Sequence, residues 1–197
     1  MKMYTTKLTV LALLITFTST AQLRLPVSNN ALRNDLQKVI GDFNNGFTSI
    51  KGDMQSQNPQ TVEFLSQVQL SGSEECVITQ YTGAKPIYSF QALMLTTENF
   101  EEASKKYKWL YGQLKGMTIK INHDYTYSLT GDFDKPDESK KFSSTIMRLL
   151  PAATQLPKLK VEVSMQYYFP EWKVSLLLYE KEREDGDRGE TEEGEAK

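Results

Sequence analysis

TVEFLSQVQLSGSEECVITQYTGAKPIYSFQALML, residues 61–95, is the stretch on which the fold turns. Its apolar residues recur at every second position, the period of a strand whose side chains alternate between two faces. Val62, Phe64, Ser66, Val68 and Leu70 fall on one face, with Glu63, Leu65, Gln67 and Gln69 on the other. Ser71–Glu75 reads as a turn and Cys76–Thr82 as the next strand, before Gly83-Ala84-Lys85-Pro86 turns the chain into Ile87–Leu95. There Tyr88, Phe90, Ala92 and Met94 alternate with Ile87, Ser89, Gln91 and Leu93. Parallel pairing needs a crossover of a dozen residues or more, and these links are shorter, so the three strands form an antiparallel meander. One face of it is apolar and has to meet a helix.

The helix follows at once. Thr96 and Thr97 offer caps, Glu98, Glu101 and Glu102 place negative charge at its positive end, and the lysines come later. Phe100, Ala103, Tyr107, Leu110 or Tyr111, and Leu114 draw one apolar stripe, while Glu101–Lys105 and Glu102–Lys106 support the wet side at i,i+4 spacing. Such a stripe reads as core rather than as a ligand-facing surface. Gly116 is placed to end the helix.

Strands are expected again downstream, over Met117–Asn122, Tyr125–Thr130, Lys158–Tyr168 and Trp172–Lys181, the last two joined as a hairpin by Phe169-Pro170-Glu171. Phe142–Leu150 fits a helix by Phe142, Ile146, Leu149 and Leu150. It fits a strand by Ser143-Ser144-Thr145 and the following Pro151, and the strand reading is preferred. Upstream, Ser28-Asn29-Asn30 precedes an amphipathic run in which Leu32, Leu36, Val39, Ile40 and Phe43 recur at helical spacing. Phe47–Lys51 (FTSIK) then suggests a short strand, and Gly52–Gln60 a polar loop. The fold class expected is α+β: an antiparallel sheet, meander plus C-terminal hairpin, covered by two helices in a single domain over residues 22–179.

Both ends differ from this body. Lys2 and Lys7 precede the uncharged run Leu8–Phe17, and Ser19 and Ala21 form a small-residue cleavage site, so residues 1–21 read as a signal peptide and Gln22 as the first mature residue. The apolar run is far shorter than the roughly 20 residues needed to span a bilayer. No Cys follows the site to carry a lipid. These features predict an exported product, periplasmic or secreted. Residues 180–197 carry nine acidic and four basic residues, three glycines and almost no apolar side chains, and are expected to form a disordered, solvated acidic tail.

The chain has 23 Lys+Arg and 25 Asp+Glu; with two lysines in the leader and those tail charges set aside, the body holds 17 against 16. A near-neutral body lacks the concentrated basic surface that nucleic-acid binding requires. Cys76, the only cysteine, forms no internal disulfide and reads as a small buried hydrophobe.

Catalytic residue types are sparse. His123 is the only histidine, and Asn122-His123-Asp124 reads as a polar turn between strands. No Gly-x-Ser-x-Gly elbow or phosphate-cradling glycine loop occurs, and one His with one Cys is a poor zinc set. Asp132, Asp134, Asp137 and Glu138 raise a calcium loop, but the EF-hand spacing is missing and Pro136 interrupts the run, so a solvated loop is preferred. Among Glu63, Glu74, Glu75, Glu162 and Glu171 nothing singles out a glycosidase pair. No cofactor is implied.

Aromatic residues gather late: Tyr125, Tyr127, Tyr167, Tyr168, Phe169 and Trp172. Tyr167 and Tyr168 must point to opposite faces of a strand, so one of them is exposed. Tyr168, Phe169 and Trp172, around the hairpin turn, are the candidate contacts for a protein or carbohydrate partner. The sequence thus points to a non-enzymatic exported binding domain, with a hydrolase using Ser or carboxylate chemistry as the alternative.

Overall fold

The computed structural model describes residues 29–83, 86–121 and 125–180. The leader, His123 and the tail beyond Glu180 lie outside the described residues. Helix α1 (Asn29–Gly41) opens the order, followed by a 3-10 turn at Phe43–Asn45. Four strands come next: β1 (Lys51–Gln57), β2 (Thr61–Ser66), β3 (Glu75–Tyr81) and β4 (Ile87–Thr97). Helix α2 (Phe100–Leu114) leads to β5 (Thr118–Ile121), β6 (Tyr125–Thr130), β7 (Phe142–Leu150), β8 (Leu159–Tyr168) and β9 (Glu171–Glu180). The strands form one nine-stranded antiparallel sheet in the order β1-β2-β3-β4-β9-β8-β7-β6-β5. Two sequential meanders therefore meet at the β4–β9 seam, where Phe90 faces Leu178 and Ala92 faces Leu176.

The pairing register decides which face is core. Cys76, Ile78, Phe90, Ala92, Val174, Leu176, Leu178, Val161 and Val163 share the inner face and are all buried. Helix α2 packs against β4, β8 and β9 on that side. Its Tyr107 is fully buried, and the phenol hydroxyl bonds Thr145 Oγ1 of β7 at 2.8 Å. A bulge between Leu93 and Leu95 sends two consecutive side chains, Met94 and Leu95, into the core. Near β4 the core is extended by Phe47, whose ring lies 6.1 Å from that of Phe90.

Each element starts and stops for a local reason. The cap of α2 is Asn99 rather than Thr96 or Thr97: its side chain accepts the Glu102 N–H at 3.0 Å. Thr97 instead donates its hydroxyl to the Glu102 carboxylate at 2.7 Å and accepts the Asn99 N–H. At the other end Gly116, with φ +75°, turns the chain away, as its position after the stripe implied. Residues 142–150 are strand β7. Its first part pairs with β8, up to Met147–Val161, and its last three residues pair with β6.

Two expectations fail together around residue 50. Phe47–Ile50 is a turn, and of the expected strand only Lys51 is in one, as the first residue of β1. Gly46 and Phe47 adopt φ of 60° and 57°, and the buried apolar pair Phe47 and Ile50 is spaced three apart, which suits a turn and not a pleat. The strand comes later, as β1, inside the stretch read as a polar loop. Five of its seven residues are exposed, so no apolar alternation announces it, and its backbone pairing with β2 makes it a strand. The sheet's other edge is closed by a side chain: Gln37 of α1 accepts the Lys120 N–H of β5 at 3.4 Å. Finally, β2 ends at Ser66, whose hydroxyl bonds both the N–H and the carbonyl of Val68, so the alternation beyond it does not continue as strand.

Cys76 is fully buried, with Leu70 N–H and Ser73 Oγ against its sulfur at 3.4 and 3.3 Å. Burial, partly offset by those two hydrogen bonds, pushes the thiol above its usual range. A disulfide-exchange reagent at pH 8 is therefore expected to label Cys76 at least a hundredfold more slowly in the native protein than in urea. Equal rates would show that this part of the core opens readily.

Candidate functional site

The inner face of the sheet is filled by core side chains, with helix α2 packed across β4, β8 and β9. The outer face carries Glu63, Thr79, Gln91, Lys173, Ser175, Glu162, Gln166, Tyr168 and Phe142, set by the same register at alternate positions. Candidate features fall in three places, two on this face and one in the loop after β6.

At the β8–β9 hairpin end, Tyr168 and Glu171 form the last pair and Phe169-Pro170 makes the turn. Tyr168 is 54% exposed and Phe169 87% exposed. Phe142, on the outer face beside Gln166, adds a third ring at 42%. The Lys173 ammonium sits 5.7 Å from the centre of the Tyr168 ring, within cation–π range. Three exposed aromatic rings and a cation thus share one end of the sheet. Trp172, the third candidate from the sequence, is elsewhere. It is 4% exposed, with its ring 5.2 Å from Phe100 and 5.0 Å from Tyr167, so it anchors α2 to the hairpin from the core side. The pleat explains the division: Trp172 pairs with Tyr167 on the inner face, and Tyr168 necessarily points out. Phe142 was missed as a contact because only the β7–β8 register brings it to the hairpin.

On the β1–β3 side, Gln55, Ser56, Glu63, Glu75, Val77, Thr79, Gln91, Leu93 and Lys173 line a groove of about 410 Å³. Ser56 donates to the Glu63 carboxylate at 2.7 Å and Gln55 to that of Glu75 at 3.0 Å. Of the five glutamates in the sequence reading, these two share a groove. The others part company: Glu74 accepts the Thr96 N–H, Glu162 is buried and accepts the Tyr179 hydroxyl at 2.6 Å, and Glu171 sits at the hairpin. The groove escaped the sequence reading because β1, which supplies one wall, carries no strand pattern.

In the acidic loop, both donors of Ser139 bond one Asp137 oxygen, at 2.8 and 2.9 Å, and hold its carboxyl below the usual range. The Asp134 N–H is taken by Thr145 Oγ1. No group of three or more His, Cys, Asp or Glu side chains is placed to hold a metal among the described residues. Nor is any described helix long and apolar enough to cross a membrane.

Comparison with known proteins adds no further constraint on this site: no family model, no curated protein and no solved structure matches the chain.

Proposed function

We propose that this protein is an exported, non-enzymatic binding domain that engages a partner protein through the hairpin end of its outer sheet face. In this reading residues 22–179 act as one domain, two helices cover the inner face, and the leader ending at Ala21 directs export to the periplasm or beyond. One observation carries it: Phe142, Tyr168 and Phe169 stand exposed together at one end of the sheet, beside Lys173. Exposed rings gathered in a patch are the usual anchors of a protein interface. Phe169 lacks the polar edge with which a sugar-stacking platform also bonds hydroxyls, which favours a protein pocket over a carbohydrate.

Export is tested by mass spectrometry of the mature protein, which is expected to begin at Gln22; an intact N-terminus in a soluble cell fraction would refute it. Binding is tested by quantitative co-purification of the wild type and of a Tyr168→Ser/Phe169→Ser double variant. Both positions are exposed, so the variant should melt within about 2 °C of the wild type while recovering its main partner at least tenfold less. Equal recovery by both proteins, or no partner with either, would sink the proposal.

A further inference from the structure

Paired residues on adjacent antiparallel strands share a face, so the register draws rows of side chains that run across the sheet. One row on the outer face reads Glu75, Leu93, Ser175, Ser164 and Ser144, on β3, β4, β9, β8 and β7 in turn. The row beside it carries Leu177, Glu162 and Ile146, and the row on its other side Lys173, Gln166 and Phe142. Adjacent serines between two rows of longer side chains make the floor of a trough. Ser175 and Ser164 are 4% and 8% exposed. Ser175 accepts a hydrogen bond from the Gln91 amide at 3.3 Å, whereas the Ser164 hydroxyl has no partner among the described residues. Each end of the row opens into a groove on the same face. Glu75 and Leu93 line the one of about 410 Å³ on the β1–β3 side, and Ser144 lines another of about 370 Å³ with Thr130, Asp132 and Arg148. From β3 to β7 the path crosses β4, β9 and β8, about 19 Å at the usual strand spacing.

We propose that this trough binds a linear, uncharged oligosaccharide laid across the strands. Sugar hydroxyls both donate and accept, as serine hydroxyls and glutamine amides do together, and Ser144, Ser164, Ser175, Gln91 and Gln166 offer such groups along it. A ligand hydroxyl gives Ser164 the partner it lacks, which matters most for a group this deeply buried. Phe142 at the rim, 42% exposed, offers a flat ring to the C–H face of one sugar. An extended peptide also brings donors and acceptors, but it relies on pockets for alternate side chains, and a row of serines supplies none. A polyanion is disfavoured, because Lys173 and Arg148 at the two ends share their grooves with Glu75 and Asp132. Phe169 has no part in this site, which is separate from the protein contact at the hairpin.

The test is isothermal titration of the purified protein with maltohexaose, cellohexaose and laminarihexaose in turn, each set beside glucose. At least one of the three is expected to bind one to one, with the same affinity at low and high salt because the ligand carries no charge. Glucose, which covers only part of the trough, should bind at least tenfold more weakly. Ser164→Val, which removes the hydroxyl and fills the floor, is expected to weaken the oligosaccharide about tenfold, and Gln91→Ala about fivefold, the scale of one neutral hydrogen bond. Gln91 is exposed, so its variant keeps the fold, and an unchanged melting temperature checks both. The Tyr168→Ser/Phe169→Ser variant is expected to bind as the wild type does, which separates this site from the hairpin. Binding of none of the three, equal affinity for glucose, wild-type affinity in both single variants, or loss of binding in the hairpin variant would overturn the proposal.

Discussion

Replacing Tyr107 by alanine is expected to lower stability by about 3–5 kcal/mol, the range for deleting a large aromatic from a packed core. Tyr107 is among the largest fully buried side chains, and it joins three elements at once. Its ring lies 5.6 Å from that of Phe133, its helix packs across β4, β8 and β9, and its hydroxyl bonds Thr145 of β7. Thr145 Oγ1 in turn accepts the Asp134 N–H, which ties the loop after β6 to the same point. Alanine would leave a cavity and strip the buried Thr145 hydroxyl of one of its two partners, two costs that add. Denaturant titration would show the loss directly, and in a thermal melt it would be a fall on the order of 10 °C. A change below about 1 kcal/mol would mean that the α2–sheet interface is not the centre of the core.

The same hydroxyl has a pH signature. Burial, which outweighs the Thr145 hydrogen bond, pushes the Tyr107 phenol up to about 12. The fold therefore favours the protonated form. That contribution is complete below the unfolded phenol value near pH 10 and is lost as pH rises toward about 12. Between those limits the wild type should lose stability more steeply than Tyr107→Phe, which has no proton there to release. Parallel slopes would count against a buried phenol.

The second large effect is expected at Gly131, directly after β6. A Cβ there would lie 2.5 Å from the Ile146 carbonyl oxygen and 2.8 Å from Met147 Sδ. The first is backbone of a neighbouring strand, so the clash cannot be relieved by turning a side chain. Gly131 also accepts the Tyr111 hydroxyl through its carbonyl at 3.0 Å, so moving it strains α2 as well. Gly131→Ala should cost about 2–3 kcal/mol, toward the upper part of the overpacking range. Gly112, mid-helix in α2 with nothing within 4 Å of its notional Cβ, is the matched control. There alanine should stabilise by about 0.5–1 kcal/mol, because a helical glycine has more freedom to lose on folding. Two Gly→Ala changes of opposite sign, read by urea midpoints, would separate steric from entropic effects. A neutral Gly131→Ala would show that β6 and β7 pack less closely than described.

Position 131 also shows where sequence reasoning ends. Gly131-Asp132-Phe133-Asp134 reads as polar loop, and nothing local says that one glycine in it touches a backbone 15 residues on. The metal reading of that loop had the same limit. Carboxylates at alternate positions suggest convergence, yet Asp137 is occupied by Ser139, two residues away. At the hairpin, by contrast, alternation alone placed Tyr167 and Tyr168 on opposite faces, and they are so placed. It could not say which face was core, and Trp172 went with Tyr167.

What the residues determine by themselves is the local alphabet: the meander of β2, β3 and β4, the α2 stripe with its glycine stop, and the β8–β9 hairpin. Each of these rests on contacts within a few residues, so periodicity and turn chemistry suffice. Tertiary structure alone decided three other things. It made β1 a strand, because an exposed edge is held by backbone bonds to its neighbour and needs no apolar pattern. It joined β4 to β9, pairing Ala92 with Leu176, 84 residues on, and Phe90 with Leu178, since long-range pairing depends on which apolar faces can be buried together. And it gathered Phe142 beside Gln166, on the same face as Tyr168, because the β7–β8 register, not distance along the chain, sets which side chains share a face.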